Sequence, residues 1–253
     1  MIIFRYDKTW EGLLTAVFDA YSRRQFPDML LGTEEPGPMF ADESHTIVTD
    51  PERAARVWAG LCRRAGRRVR NMLLHVWLSE EQEADALIVR CIKKIFDVRG
   101  SVAGDFSDPD MLTAHKTAMA VAREAQFVRM FARLQKTTAG SYFAPVAPKY
   151  NALPLAVEYF RDRFADQRWL VYDTRRRYGY YYDLETVTEV TLDDDSHLIE
   201  GALGEDIIAA DERAFQQAWR GYHKALSIKE RTNPRLQRQH MPYRFWKYLT
   251  EMK

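Results

Sequence analysis

Trp10, Leu13, Leu14, Val17, Phe18 and Tyr21 recur at the spacing of one helical face and predict a helix over 10–22, after a short strand at Ile2–Tyr6. Turn residues mark Gly32 to Pro38 as a loop, and Ser44 to Val48 reads as another short strand. Four helical stretches follow. Asp50-Pro51 supplies an N-cap and a first-turn proline for a helix to Ala65, with Ala54, Val57, Trp58 and Leu61 inward. After Gly66, a second carries Val69, Met72, Leu73, Val76 and Trp77 on one side. Ser79-Glu80-Glu81-Gln82 has the spacing of a capping box and opens a third, to Asp97, with Leu87, Ile88, Cys91, Ile92 and Ile95 facing a core. Asp108-Pro109 begins the fourth, striped by Met111, His115, Ala118, Ala122 and Ala125.

The period then changes. From Phe127 to Leu134, Val, Met, Ala and Leu alternate with Phe, Arg, Phe and Arg, which predicts a strand. Thr137 to Gly140 turns into a second strand, Ser141 to Ala147. A helix over Leu153–Phe164 precedes strands at Arg168–Thr174, Tyr178–Leu184 and Val187–Leu192. Asp193 to Asp206 is acidic and loop-like. Ala210–Ser227 reads as a helix with Phe215, Ala218, Trp219, Tyr222 and Leu226 inward, and Pro242 opens a terminal helix holding Phe245, Trp246 and Leu249. Strands cluster after helices instead of alternating with them. The expected class is therefore α+β: an antiparallel sheet, a helical N-terminal half and C-terminal helices. The parts would be 1–126 and 127–253, or one continuous domain.

Length and composition change this picture little. The 253 residues, 46% apolar and 29% charged, can bury a substantial core and exclude a fibrous or disordered chain. No apolar run approaches the roughly 18–20 residues that span a bilayer, and the N-terminus shows no secretory pattern, so the expected address is cytoplasmic, without a membrane partner. Cys62 and Cys91, both placed on apolar helix faces, are too few for a disulfide framework or a four-cysteine zinc site. Phosphate-loop, dinucleotide, nucleophile-elbow and H-E-x-x-H motifs are absent. The reading therefore includes no metal and no cofactor.

Charge is informative in its distribution. The total is +1, yet Arg53 to Trp77 holds seven arginines and no acid, and Tyr178 to Glu212 holds eleven acids and no Lys or Arg. Arg213 to Lys253 reverses again, with ten basic residues against Glu230 and Glu251. A near-neutral total can thus conceal a face able to meet phosphates, or merely solvated helix faces whose charges cancel.

Several stretches together carry a resemblance. They are Tyr6-Asp7 with Glu11 to Phe18, Phe127-Val128-Arg129, Leu153-Pro154, Phe160, Arg163-Phe164, Gln167, Trp169 to Asp173, Tyr178-Gly179, Glu230 to Gln237 and Met241 to Lys247. In this order they resemble a bacterial domain-of-unknown-function family described as probable DNA metabolism proteins. Members of that family are typically encoded beside a putative radical-SAM DNA repair or modification protein. In some, the region is fused ahead of a uracil-DNA glycosylase-like domain. The resemblance implies a setting of DNA and base-excision chemistry and brings no assigned catalytic residues. Two cysteines cannot supply a C-x-x-x-C-x-x-C cluster or the four thiolates of an iron–sulfur glycosylase, so either activity would come from a partner.

The residues themselves offer two cationic groupings. Arg129 and Arg133 flank Phe131 on the expected strand face, and Arg175 and Arg177, with Arg176, adjoin Tyr178, Tyr180, Tyr181 and Tyr182. Cations neutralise phosphates while rings stack on bases; the same residues could instead line a covered sheet face. In the tail, Arg231, Asn233, Arg235, Arg238, Arg244 and Lys247 carry side chains that read phosphates and base edges, or that dock a protein partner. For catalysis the candidates are Asp173, with Arg129 or Arg175, and His115 or His223. A lone Asp at a strand end also caps turns, and the sequence assigns no reaction. The expectation is an accessory DNA-binding protein. The alternatives are an adaptor without DNA contact and an enzyme processing a nucleotide or damaged base near Asp173.

Overall fold

A computed structural model describes residues 1–98, 107–192, 198–199, 202–204 and 206–252. They divide into two units, Met1–Val121 and Ala122–Lys253. The expected loop at Asp193–Asp206 lies largely outside the described residues.

In the first unit, β1 (Ile2–Tyr6) is the central strand of a three-stranded sheet and buries Ile3, Phe4 and Tyr6. Its continuation, α1 (Trp10–Arg23), starts where Thr9 Oγ1 accepts from Gly12 N at 2.9 Å and ends at Arg24, whose φ of 56° closes the last turn. This helix returns the chain to the same end of the sheet. Both β2 (Met29–Gly32) and β3 (Glu43–Thr46) consequently run parallel to β1, one on each side. The pattern of residues 29–32 was too short to announce β2.

Helices cover this sheet. Asp50 caps α2 (Pro51–Arg64) through Glu52 N and Arg53 N, as its sequence predicts, and Gly66 separates it from α3 (Arg67–Trp77). The helix α4 (Ala84–Asp97) begins later than the expected capping box. Ser79 Oγ instead donates to Val76 O at 2.6 Å and accepts from Glu81 N, so it closes the end of α3. Leu13, Leu61, Leu73, Ile88 and Ile92 are fully buried in the resulting core, each contributing about 1.5–3 kcal/mol of burial. Cys91 lies within it and its thiol is pushed up to about 12 by burial, whereas Cys62, expected on an apolar face, is exposed.

Asp108 accepts from Asp110 N and Met111 N and so opens α5 (Pro109–Phe131). This helix overturns the expected strand at 127–134. Val121, Ala125 and Val128 continue one buried stripe at i, i+4, i+7, so an already propagating helix absorbs the short run of alternation. Phe127 and Phe131 stack at 5.8 Å one helical turn apart, not across a pleat.

The second unit holds five strands in sequence order: β4 (Gln135–Lys136), β5 (Tyr142–Val146), β6 (Trp169–Asp173), β7 (Tyr178–Tyr182) and β8 (Val187–Val190). Between β5 and β6 the chain passes through a 3-10 turn (Leu153–Leu155) and α6 (Val157–Arg163). That crossover makes β5 and β6 parallel in an otherwise antiparallel sheet. The α+β class holds, and the antiparallel expectation is corrected: the three-stranded sheet is parallel and the five-stranded one mixed. Trp169 is fully buried between Phe160, with centroids 6.0 Å apart, and Tyr182 at 5.4 Å.

A short ladder (Leu198–Ile199 with Ala202–Leu203) precedes α7 (Ala210–Leu226), α8 (Pro234–His240) and the 3-10 turns Tyr243–Tyr248 and Thr250–Met252. Phe245 and Leu249 are buried as expected. The face of α7 expected to point inward does not: Phe215, Trp219, Tyr222 and Leu226 are exposed.

Candidate nucleic-acid interface

Because β5 and β6 are parallel, both release their following loops at one end of the sheet. Thr174 N donates to Val146 O at 2.8 Å, which ties the residues after β6 to those after β5. Asp173, fully buried at the end of β6, accepts from Arg175 N (2.9 Å), Arg176 N (3.2 Å) and the Arg176 guanidinium (2.9 Å). Arg177 N returns to Asp173 O, and the φ of 62° at Arg177 completes the turn into β7. Burial raises the Asp173 carboxyl above its ordinary value, with Arg176 opposing the shift. With its oxygens occupied by three donors, this carboxylate is arranged as a turn clasp.

The clasp aims cations at the neighbouring loop. Arg175 Nη1 donates to Lys149 O at 2.9 Å, and Arg176 Nη1 and Nη2 reach Pro148 O and Lys149 O, each at 3.2 Å. Carbonyl acceptors fix both guanidinium groups, and the Asp173 carboxylate also pairs with that of Arg176. From α5, Glu124, whose side chain is 4% exposed, accepts from Lys149 N at 2.7 Å and from two nitrogens of Arg244. Arg244 also lies over the rings of Phe245 (5.0 Å) and Phe127 (5.9 Å). Arg129 donates to Leu155 O, and its buried Nε has no hydrogen-bond partner among the described residues. Tyr178 OH donates to Asn151 Oδ1, and Thr174 Oγ1 lies 3.1 Å from Tyr248 OH, beneath Lys247.

Of the residues named from sequence, Arg129 and Arg175 therefore donate to carbonyls of the segment 148–155, and Arg244 reaches it through the Glu124 carboxylate that it shares with Lys149 N. Sequence reading passed over Lys149, Arg176 as a fixed member of the set, and Glu124. The signals were present but local: a Lys-Tyr-Asn triplet after Pro148, and an acid inside an alanine-rich helix.

The other candidates are engaged elsewhere or stand apart. Arg133 donates to Met130 O and pairs with Glu251 at 2.5 Å, and the same carboxylate accepts from Trp219 Nε1 at 3.0 Å. The shared strand face expected for Arg129, Phe131 and Arg133 does not exist, because Arg129 and Phe131 are helical. Asn233 caps α8 by accepting from Leu236 N, and Arg238 Nε returns to Pro234 O. Arg231, Arg235 and Arg177 are exposed. Among the described residues, no hydrogen bond or ion pair links Arg231, Asn233 or Arg235 to the Lys149 loop.

Among the described residues no three His, Cys, Asp or Glu side chains gather as a metal site, and no helix is long and apolar enough to cross a membrane. A cleft of about 220 Å³ in the first unit is lined by Glu81, Glu83, Arg90 and Asp110 together with apolar and hydroxyl side chains. The family model described as a domain of unknown function, DUF4130, matches residues 82–251. No curated protein and no solved structure matches the chain significantly.

Proposed function

We propose, for a chain that belongs to the DUF4130 family of domains of unknown function, that it is an accessory DNA-binding protein of bacterial DNA repair or base modification. The cations gathered on the Lys149 loop would grip the phosphate backbone. One observation carries this reading: Arg129, Arg175 and Arg176 donate to carbonyls of the short segment that bears Lys149, Arg244 joins it through Glu124, and buried Asp173 and Glu124 pair with Arg176 and Arg244. Ordered cations at the end of a sheet suit phosphates, since their geometry is set before the ligand arrives. The base chemistry would belong to a cytoplasmic partner, a radical-SAM enzyme or a uracil-DNA glycosylase-like protein.

Fluorescence anisotropy with single- and double-stranded DNA over a salt series tests the proposal. Counterion release requires log K to fall linearly with log salt, by about 0.9 per phosphate contacted on duplex DNA. Replacing Lys149 or Arg175 by Ala should lower that slope by about one. Absence of binding at low salt, or a slope indifferent to both substitutions, would overturn it.

A further inference from the structure

The helix α7 has no buried residue, although four large apolar side chains lie along it. Phe215, Trp219, Tyr222 and Leu226 are 68%, 43%, 57% and 61% exposed and follow one another at i, i+4, i+7, i+11. They form a single row, with the rings of Trp219 and Tyr222 5.7 Å apart. Beside it runs a second exposed row at the same spacing, Ala214, Ala218, Gly221 and Ala225. Arg213, Arg220 and Lys224 occupy the far side by the 100° step of the helix. The helix is attached to its unit through Asp211, Glu212, Gln216 and Trp219, which meet Lys136, Gln135 and Glu251.

Two facts make this surface more than a greasy patch. A row of exposed aromatics costs solubility unless something covers it. Gly221 is also unexplained within the chain. A Cβ there would meet nothing within 4 Å, and the residue is helical, so glycine costs about 1 kcal/mol relative to alanine with no internal return. A glycine in such a place fits close approach by another backbone.

We propose that α7 is a self-association surface, on which a second copy of this chain docks its own α7 antiparallel. In that arrangement, centred near Arg220 and Gly221, each layer joins one bulky and one small side chain: Phe215 against Ala225 of the copy, and Tyr222 against Ala218. A parallel pair would place bulky on bulky and small on small. The helix macrodipoles select the same direction, since they oppose one another in an antiparallel pair. The two-fold operation makes the patch its own partner. The cations of the far side remain outward, so the inference stands independently of DNA contact. At about 25 Å of helix per copy the interface is small, and the dimer exchanges with monomer.

Sedimentation velocity over a concentration series provides the test. The intact chain should pass from monomer to dimer. Ala218→Glu adds a charge at a position exposed in the monomer, so it should leave the circular dichroism and melting curve unchanged while weakening the dimer at least about tenfold. Gln217→Glu, on another side of the helix, should leave the dimer intact. With Cys62 replaced by Ser, Gly221→Cys should cross-link to itself on mild oxidation. A chain that is monomeric at every concentration, a dimer untouched by Ala218→Glu, or a dimer that Gly221→Cys fails to cross-link would each overturn the proposal.

Discussion

The Arg176 guanidinium and the Asp173 carboxylate are ion-paired at 2.9 Å inside a tight turn, with side-chain exposures of 12% and 0%. The same guanidinium bonds two carbonyls of the adjoining loop, so one pair fixes the ends of two parallel strands. Asp173→Asn should destabilise the protein by about 3–5 kcal/mol in urea unfolding, because it strands Arg176 without its counter-charge. Pairing that change with Arg176→Ala should cost less than the two single losses summed, as expected for side chains in contact.

Lys149 and Arg244 should separate binding from folding. Lys149→Ala removes an exposed side chain and should leave stability within about 0.5 kcal/mol while flattening the salt dependence of DNA affinity. Arg244→Ala leaves buried Glu124 without its cation. It should cost about 1–3 kcal/mol, less than a fully buried pair because Arg244 is partly open to water. Parallel melting and anisotropy measurements on the two variants check the contrast.

Acid should release the C-terminal turn. Burial alone would raise the Glu251 carboxyl, but Arg133 and Trp219 hold it below its ordinary 4.5. A depressed folded value means that its stabilisation is complete above 4.5 and is lost as pH falls through the folded value. Tryptophan fluorescence and stability should therefore decline below pH 4.5, and Glu251→Gln should flatten this component of the acid limb.

Two glycines should respond in opposite directions to alanine. A Cβ on Gly179 would stand 2.5 Å from Val171 O and 3.0 Å from Tyr172 Cα, backbone atoms that cannot swing aside. Gly179→Ala should cost about 1–3 kcal/mol or more. Gly221→Ala meets open space and should stabilise the monomer by about 0.5–1 kcal/mol. Thermal melts of both, with the second measured at low concentration, decide the matter.

What could be foreseen from the chain depended on how far each interaction reaches. Asp50 and Asp108 cap helices through amides two and three residues away, so their spacing declares them. Residues 127–134 misled because Val128, Met130, Ala132 and Leu134 satisfy alternation over eight residues, while the helix that runs through Phe131 is capped at distant Asp108. The pattern of α7 announced an apolar face but wrongly placed it inward, since periodicity is blind to what an apolar face meets. Strand direction was hidden for a related reason: only the path taken by α1 and α6 makes the pairs parallel. The Lys149 loop could not be foreseen as a focus, because its ties run to Glu124 and Arg175, each about 25 positions away, and Glu124 in turn holds Arg244 across 120.

The placement of β1 has a consequence for synthesis on the ribosome. β1 is flanked on both edges by strands that follow it in the chain, the later one ending at Thr46. Until that residue clears the exit tunnel, Ile3, Phe4 and Tyr6 travel in a segment with unpaired amides on both sides, open to adventitious strand pairing. Slowing elongation before codon 46 should lengthen the nascent chain's association with holdase chaperones, whereas a pause after α2 is complete should not.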